Sequence, residues 1–170
     1  MDRQFRLGRG RLVTELLVLS SCALLLAACG RPPLADELPR PVAVGRTAEG
    51  EIRLVVPLCE GEAIKSVEVQ NHRTARPIWR VSRPARSEEQ QEVIVLGDAH
   101  GFTREDVPLR SPLPANMGVT VELADGPPLG SGFLLKDVPE DFARTDRVLT
   151  IDDEKVPEEE FRRNAAAEYC

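Results

Sequence analysis

Asp98 and His100, in the stretch Gly97-Asp98-Ala99-His100-Gly101-Phe102, have the types and spacing that acid–base chemistry uses. A carboxylate can orient an imidazole, and the imidazole can then activate a hydroxyl such as that of Ser111 or Ser131. Gly130-Ser131-Gly132 does not match the Gly-x-Ser-x-Gly elbow that presents a nucleophilic serine. A histidine in a turn accounts for the pattern better, and the chain reads as non-enzymatic. His72 and His100 are too far apart for His-x-x-x-His. The acids Asp152-Asp153-Glu154 and Glu158-Glu159-Glu160 lack the spacing and the turn glycine of a calcium loop. No metal and no other cofactor is therefore expected.

The cysteines carry a different chemistry. Cys22 lies inside an apolar run, and Cys29 closes the run in Leu26-Ala27-Ala28-Cys29-Gly30. Small residues before a cysteine at the end of such a run read as a lipobox, with Cys29 the lipidated residue. Residues 1–11 are basic and residues 12–28 are apolar, the plan of a secretory signal. The run falls short of the roughly 20 apolar residues a membrane span needs. A second candidate, Leu19-Ser20-Ser21-Cys22, would leave a mature start of Ala-Leu-Leu-Leu-Ala-Ala. Cys29 is followed by a polar, proline-rich segment and is the better site. Residues 1–30 thus resemble bacterial lipoprotein precursors processed by the lipoprotein signal peptidase. The resemblance implies a diacylglyceryl-type lipid on Cys29 and a position on the outer face of the cell membrane. Cleavage before Cys29 would leave Cys59 and Cys170, one candidate disulfide in an oxidising compartment.

Three segments follow from this: a signal peptide over 1–28, a lipid-anchored Pro-rich tether over 29–48, and one β-rich extracytoplasmic domain over 49–170. Pro32, Pro33, Pro39 and Pro41 favour extended backbone in the tether. The net charge of −6, with many arginines at the extreme N-terminus, argues against a nucleic-acid partner. One Trp and one Tyr make a stacking platform for sugars or bases improbable.

Alternation places strands at residues 51–58, 64–70, 77–82, 92–96, 118–123, 131–136 and 147–151. Trp79 falls at an inward position and is expected in the core. Residues 92–96 are apolar on both faces, as in a central strand. Pro157 with acids behind it starts a helix to about residue 169, with Glu158–Arg162 and Glu159–Arg163 pairs and Phe161, Ala165 and Tyr169 on one face. The fold class is mainly β, an antiparallel sandwich of about seven short strands with a C-terminal helix. An α+β fold or a small barrel is the alternative.

Residues 97–117 read as one long, proline-stiffened connection. Either it is a plain crossover or it is an interaction loop carrying Asp98, His100, Phe102, Arg104 and Arg110. Pro57-Leu58-Cys59-Glu60-Gly61-Glu62, Val67-Glu68-Val69, Pro77-Ile78-Trp79-Arg80, Val156-Pro157-Glu158-Glu159-Glu160-Phe161 and terminal Cys170 are together similar to small uncharacterised lipoproteins of actinobacteria. That resemblance implies no activity. The expected function is a membrane-anchored, non-enzymatic binding module for an envelope protein or ligand. The alternatives are a small-ligand carrier and an envelope hydrolase using His100.

Overall fold

A computed structural model describes residues 39–85 and 92–170. The signal peptide, Cys22, the lipobox with Cys29 and the first part of the expected tether lie outside the described residues.

The described chain is an antiparallel β-sandwich with one C-terminal helix. The first sheet holds β1 (Ala43–Arg46), β2 (Ile52–Val55), β5 (Val93–Val95), β9 (Arg147–Leu149) and β10 (Lys155–Pro157), in the order β10-β9-β1-β2-β5. The second holds β3 (Ile64–Asn71), β4 (Arg76–Pro84), β6 (Phe102–Val107), β7 (Asn116–Leu123) and β8 (Leu129–Leu134), in the order β6-β4-β3-β7-β8. Helix α1 (Glu158–Tyr169) follows β10.

All seven expected strands form, and their period-two pattern makes the core. Leu54, Ile94, Val67, Val69, Trp79 and Met117 are buried between the sheets. Removing so much apolar surface from water at about 25 cal/mol per Å² drives the two faces together. Trp79 is fully buried, as its inward position implies.

Three strands were not legible as strands, and two of them correct the expected organisation. Residues 43–46 were assigned to the tether. They instead form β1, between β9 and β2 in the first sheet. Val42 and Val44 enter the main core, while Ala43 packs in a smaller cluster with Val55, Val148 and Phe161. Covered on both faces, β1 shows no polar alternation, and neighbouring prolines mask it. The folded unit therefore begins well before residue 49. Residues 102–107, assigned to a long connection, form β6 and pair with β4. The third, β10, is a three-residue partner of β9.

One strand sits elsewhere than its composition suggests. Val93-Ile94-Val95 is at the edge of the first sheet, not its centre. Ile94 faces the core and is buried, while Val93 and Val95 are half-buried. Arg162 of α1 reaches Glu92 beside them in an ion pair.

The helix starts as its sequence dictates. Pro157 stands at the cap and Glu158, Glu159 and Glu160 fill the first turn, where a negative charge complements the helix dipole. Phe161 and Ala165 are buried against the outer face of the first sheet. Tyr169 was expected on the same face but is 40% exposed. The Glu158–Arg162 pair forms at 2.8 Å and is extended by Arg53 from β2. Burial opposes ionisation of Glu158, but the hydrogen bonds from Arg53 and Arg162 outweigh it and hold its carboxyl below the usual range. Glu159–Arg163 lies at 3.8 Å on an exposed face and contributes little.

Candidate functional site

The structure separates the residues grouped by sequence in 97–117. Asp98 does not orient the His100 imidazole. Its Oδ1 accepts the backbone N–H of His100 at 2.8 Å, closing a local turn. His100 is exposed on that turn. Gly97 and Gly101 flank it with φ of 91° and 83°, values that favour glycine. A Cβ on Gly97 would come within 2.7 Å of Leu109 Cδ2, so the turn is also packed from the far side. Phe102 is half-buried against the main core. Arg104 lies in β6, in an ion pair with Asp106. Arg110 is exposed beyond β6. These residues therefore do not share one surface loop.

The outer face of the second sheet gathers more chemistry. Helix α1 packs on the first sheet, and the second sheet's outer face carries polar side chains from four strands, β6, β4, β3 and β7. Ser66 and Ser82 stand directly opposite each other on β3 and β4. Ser66 Oγ donates to Glu122 Oε2 at 3.2 Å, and Ser82 Oγ donates to Asp106 Oδ2 at 2.6 Å. Two hydroxyls flanked by two carboxylates thus form a row across β6, β4, β3 and β7. Cations border the row: Lys65 lies 3.2 Å from Glu122, and Arg80 lies 3.5 Å from Glu68. Hydrogen bonds from Lys65 and then Ser66 hold the Glu122 carboxyl below its ordinary value. A shallow groove of about 670 Å³ opens here, lined also by Arg83 and Arg104. Alternating fixed charges and hydroxyls suit recognition of a polar surface. Each hydroxyl is committed as a donor to a carboxylate.

Towards the other end of this face the side chains shrink. Gly118 of β7 stands opposite Gly132 of β8. The His72 ring lies over them, its Nδ1 3.3 Å from where a Gly118 Cβ would sit. His72 itself is exposed.

A second polar centre lies where the described chain begins. Cys59 and Cys170 are joined by a disulfide across a sequence separation of 111, the pairing expected from the cysteine inventory. Arg40, in the segment assigned to the tether, grips the loop after β2. Its guanidinium meets Glu62 at 2.8 and 2.6 Å and donates to Pro57 O at 3.1 Å and to Cys59 Sγ at 2.9 Å. Glu62 also accepts the Cys59 N–H at 2.8 Å. The Arg40 backbone carbonyl accepts Gly130 N–H at 3.1 Å, which covers part of the outer edge of β8.

Sequence reasoning missed Arg40, Glu62 and the Ser66–Ser82 row. The outward positions of Ser66 and Glu68 were legible from alternation, but their partners depend on strand order. Asp152, Asp153 and Glu154 form the turn between β9 and β10, closed by Thr150 N–H on Glu154 O at 2.9 Å. Among the described residues no group of three His, Cys, Asp or Glu side chains is placed to hold a metal ion.

No protein-family model, no curated protein and no solved structure matches this chain.

Proposed function

We propose that the chain is a bacterial lipoprotein whose β-sandwich acts as a non-enzymatic binding module at the outer face of the cell membrane. A diacylglyceryl-type lipid on Cys29 would hold it there. The observation that carries the reading is the Cys59–Cys170 disulfide. Such bonds persist in extracytoplasmic, oxidising compartments and are rare in the cytosol. Export also agrees with the basic and apolar plan of residues 1–28. The partner is another envelope component, met by the polar outer face of the second sheet, where Ser66, Ser82, Arg80 and Arg104 line the groove.

The alternatives fare less well on the same geometry. A hydrolase using His100 needs an oriented imidazole, and Asp98 spends its carboxylate on the His100 backbone. A carrier needs apolar space between the sheets, where Trp79, Met117, Leu129 and Phe133 are packed.

Metabolic labelling with a palmitate analogue tests the anchor. The wild-type chain should take up label and fractionate with membranes, and Cys29→Ser should lose both. Label retained in Cys29→Ser and lost in Cys22→Ser would move the site. An unlabelled wild-type chain would overturn the proposal.

A further inference from the structure

A thiolate that opens a disulfide bonds to one sulfur and expels the other as a thiolate. Which sulfur is attacked depends on access to it and on how well the opposite sulfur carries negative charge. The two ends of the Cys59–Cys170 bridge differ on both counts.

Access favours attack at Cys170. Residues 166–170 are all exposed, whereas Cys59 is half-buried. Charge favours departure of Cys59. Arg40 Nη1 lies 2.9 Å from Cys59 Sγ. Its contacts with both Glu62 oxygens and with Pro57 O hold the guanidinium against that sulfur. Glu62 offsets part of the charge, but a thiolate on Cys59 still accepts an N–H from a cation. Cys170 has the opposite surroundings. It caps the C-terminal end of α1, with its N–H on Ala166 O at 3.1 Å. The helix dipole places negative partial charge at that end, and the last turn carries Glu168 and no basic residue. Negative charge is therefore favoured on Cys59 and disfavoured on Cys170.

We infer that Cys170 is the site at which an external dithiol protein opens the bridge, forming a mixed disulfide there and expelling Cys59 as a thiolate held by Arg40. One thiolate of the dithiol bonds to Cys170 Sγ as the Cys59–Cys170 bond breaks, and the electron pair of that bond leaves on Cys59 Sγ. The second thiol of the partner loses its proton to solvent and attacks the partner's own sulfur in the mixed disulfide. Cys170 then leaves as a thiolate and takes up a proton. The dithiol is oxidised to a disulfide, and the bridge is reduced by the same two electrons. In the reverse direction Cys59, held as a thiolate by Arg40, attacks Cys170 and closes the bridge. Phe161 and Ala165 are buried upstream, so opening releases only the last turn of α1. This chemistry does not depend on a lipid at Cys29.

Reduced glutathione is the probe. The full chain, kept folded in detergent, is exposed to it, quenched with acid and alkylated, and the mass of each cysteine peptide is read. At early times glutathione should sit on Cys170 and the alkyl group on Cys59. Trp79, the one tryptophan and fully buried, should keep its emission, because exchange runs on the folded domain. Arg40→Gln should slow opening about three- to tenfold, the order expected when a leaving thiolate loses its stabilising cation. A merely structural Arg40 would give the reverse, since a loosened bridge opens faster. Glutathione on Cys59 or shared equally, Arg40→Gln as fast as wild type or faster, or no mixed disulfide until Trp79 becomes exposed would each overturn the inference.

Discussion

Arg40 meets Glu62 in a two-pronged ion pair that lies directly against the sulfur of Cys59. The Arg40 side chain is 9% exposed and that of Glu62 is 21% exposed. One contact thereby fixes three parts of the chain: the point where the described residues begin, the loop after β2, and the C-terminal Cys170 bridged to Cys59. If Cys29 carries a lipid, Arg40 is where the tether becomes the domain.

The pair makes stability depend on pH. Arg40 hydrogen bonding, against the opposing cost of burial, holds the Glu62 carboxyl below its ordinary value of 4.5. A carboxylate whose folded value is depressed adds stability that is fully present above the unfolded value. That stability is lost as pH falls through the folded value. Denaturant midpoints should therefore drop below about pH 4.5, and Glu62→Gln should flatten that part of the profile. Arg40→Ala should cost on the order of 2 kcal/mol at pH 7, because Glu62 keeps its charge and loses its partner.

The disulfide closes a loop across a sequence separation of 111. In the chain-entropy view this restrains the unfolded chain by about 4–5 kcal/mol. Cys59→Ser/Cys170→Ser should lower the stability by up to that amount in urea titration. Adding reductant to the wild type should reproduce the loss.

Helix α1 is held by Phe161 far more than by Tyr169. Phe161 is 5% exposed in a cluster with Ala43, Val55 and Val148. Phe161→Ala should destabilise by about 3 kcal/mol. Tyr169→Ala, at an exposed position, should stay within about 0.5 kcal/mol of wild type.

The turn at 97–101 distinguishes structure from chemistry. Gly97→Ala meets both a φ of 91° and Leu109, and it should cost on the order of 1–3 kcal/mol. His100→Ala touches neither and should be neutral in thermal melts.

How far the sequence can be read depends on which partner decides each residue's place. Period-two alternation is local, so the seven strands it marks are present, and Trp79 is inside as its register requires. The pairing of Cys59 with Cys170 followed from elimination. β1 was hidden because a strand covered on both faces shows no alternation, and prolines precede it. β6 was hidden because Phe102-Thr103-Arg104-Glu105-Asp106-Val107 is a polar edge strand. The Ser66–Ser82 row and the Arg40–Glu62 pair join residues far apart in the chain, and only strand order brings them together. Asp98 and His100 are two residues apart in sequence, yet the backbone amide of His100 claims the carboxylate first.

The central claim is that the mature chain begins at a lipidated Cys29. Mass spectrometry of the N-terminal peptide from the membrane-extracted protein addresses it directly. The account predicts a peptide starting at Cys29, heavier by a diacylglyceryl group and continuing through Gly30-Arg31. An unmodified peptide that runs through Ala28-Cys29 without a break would contradict it.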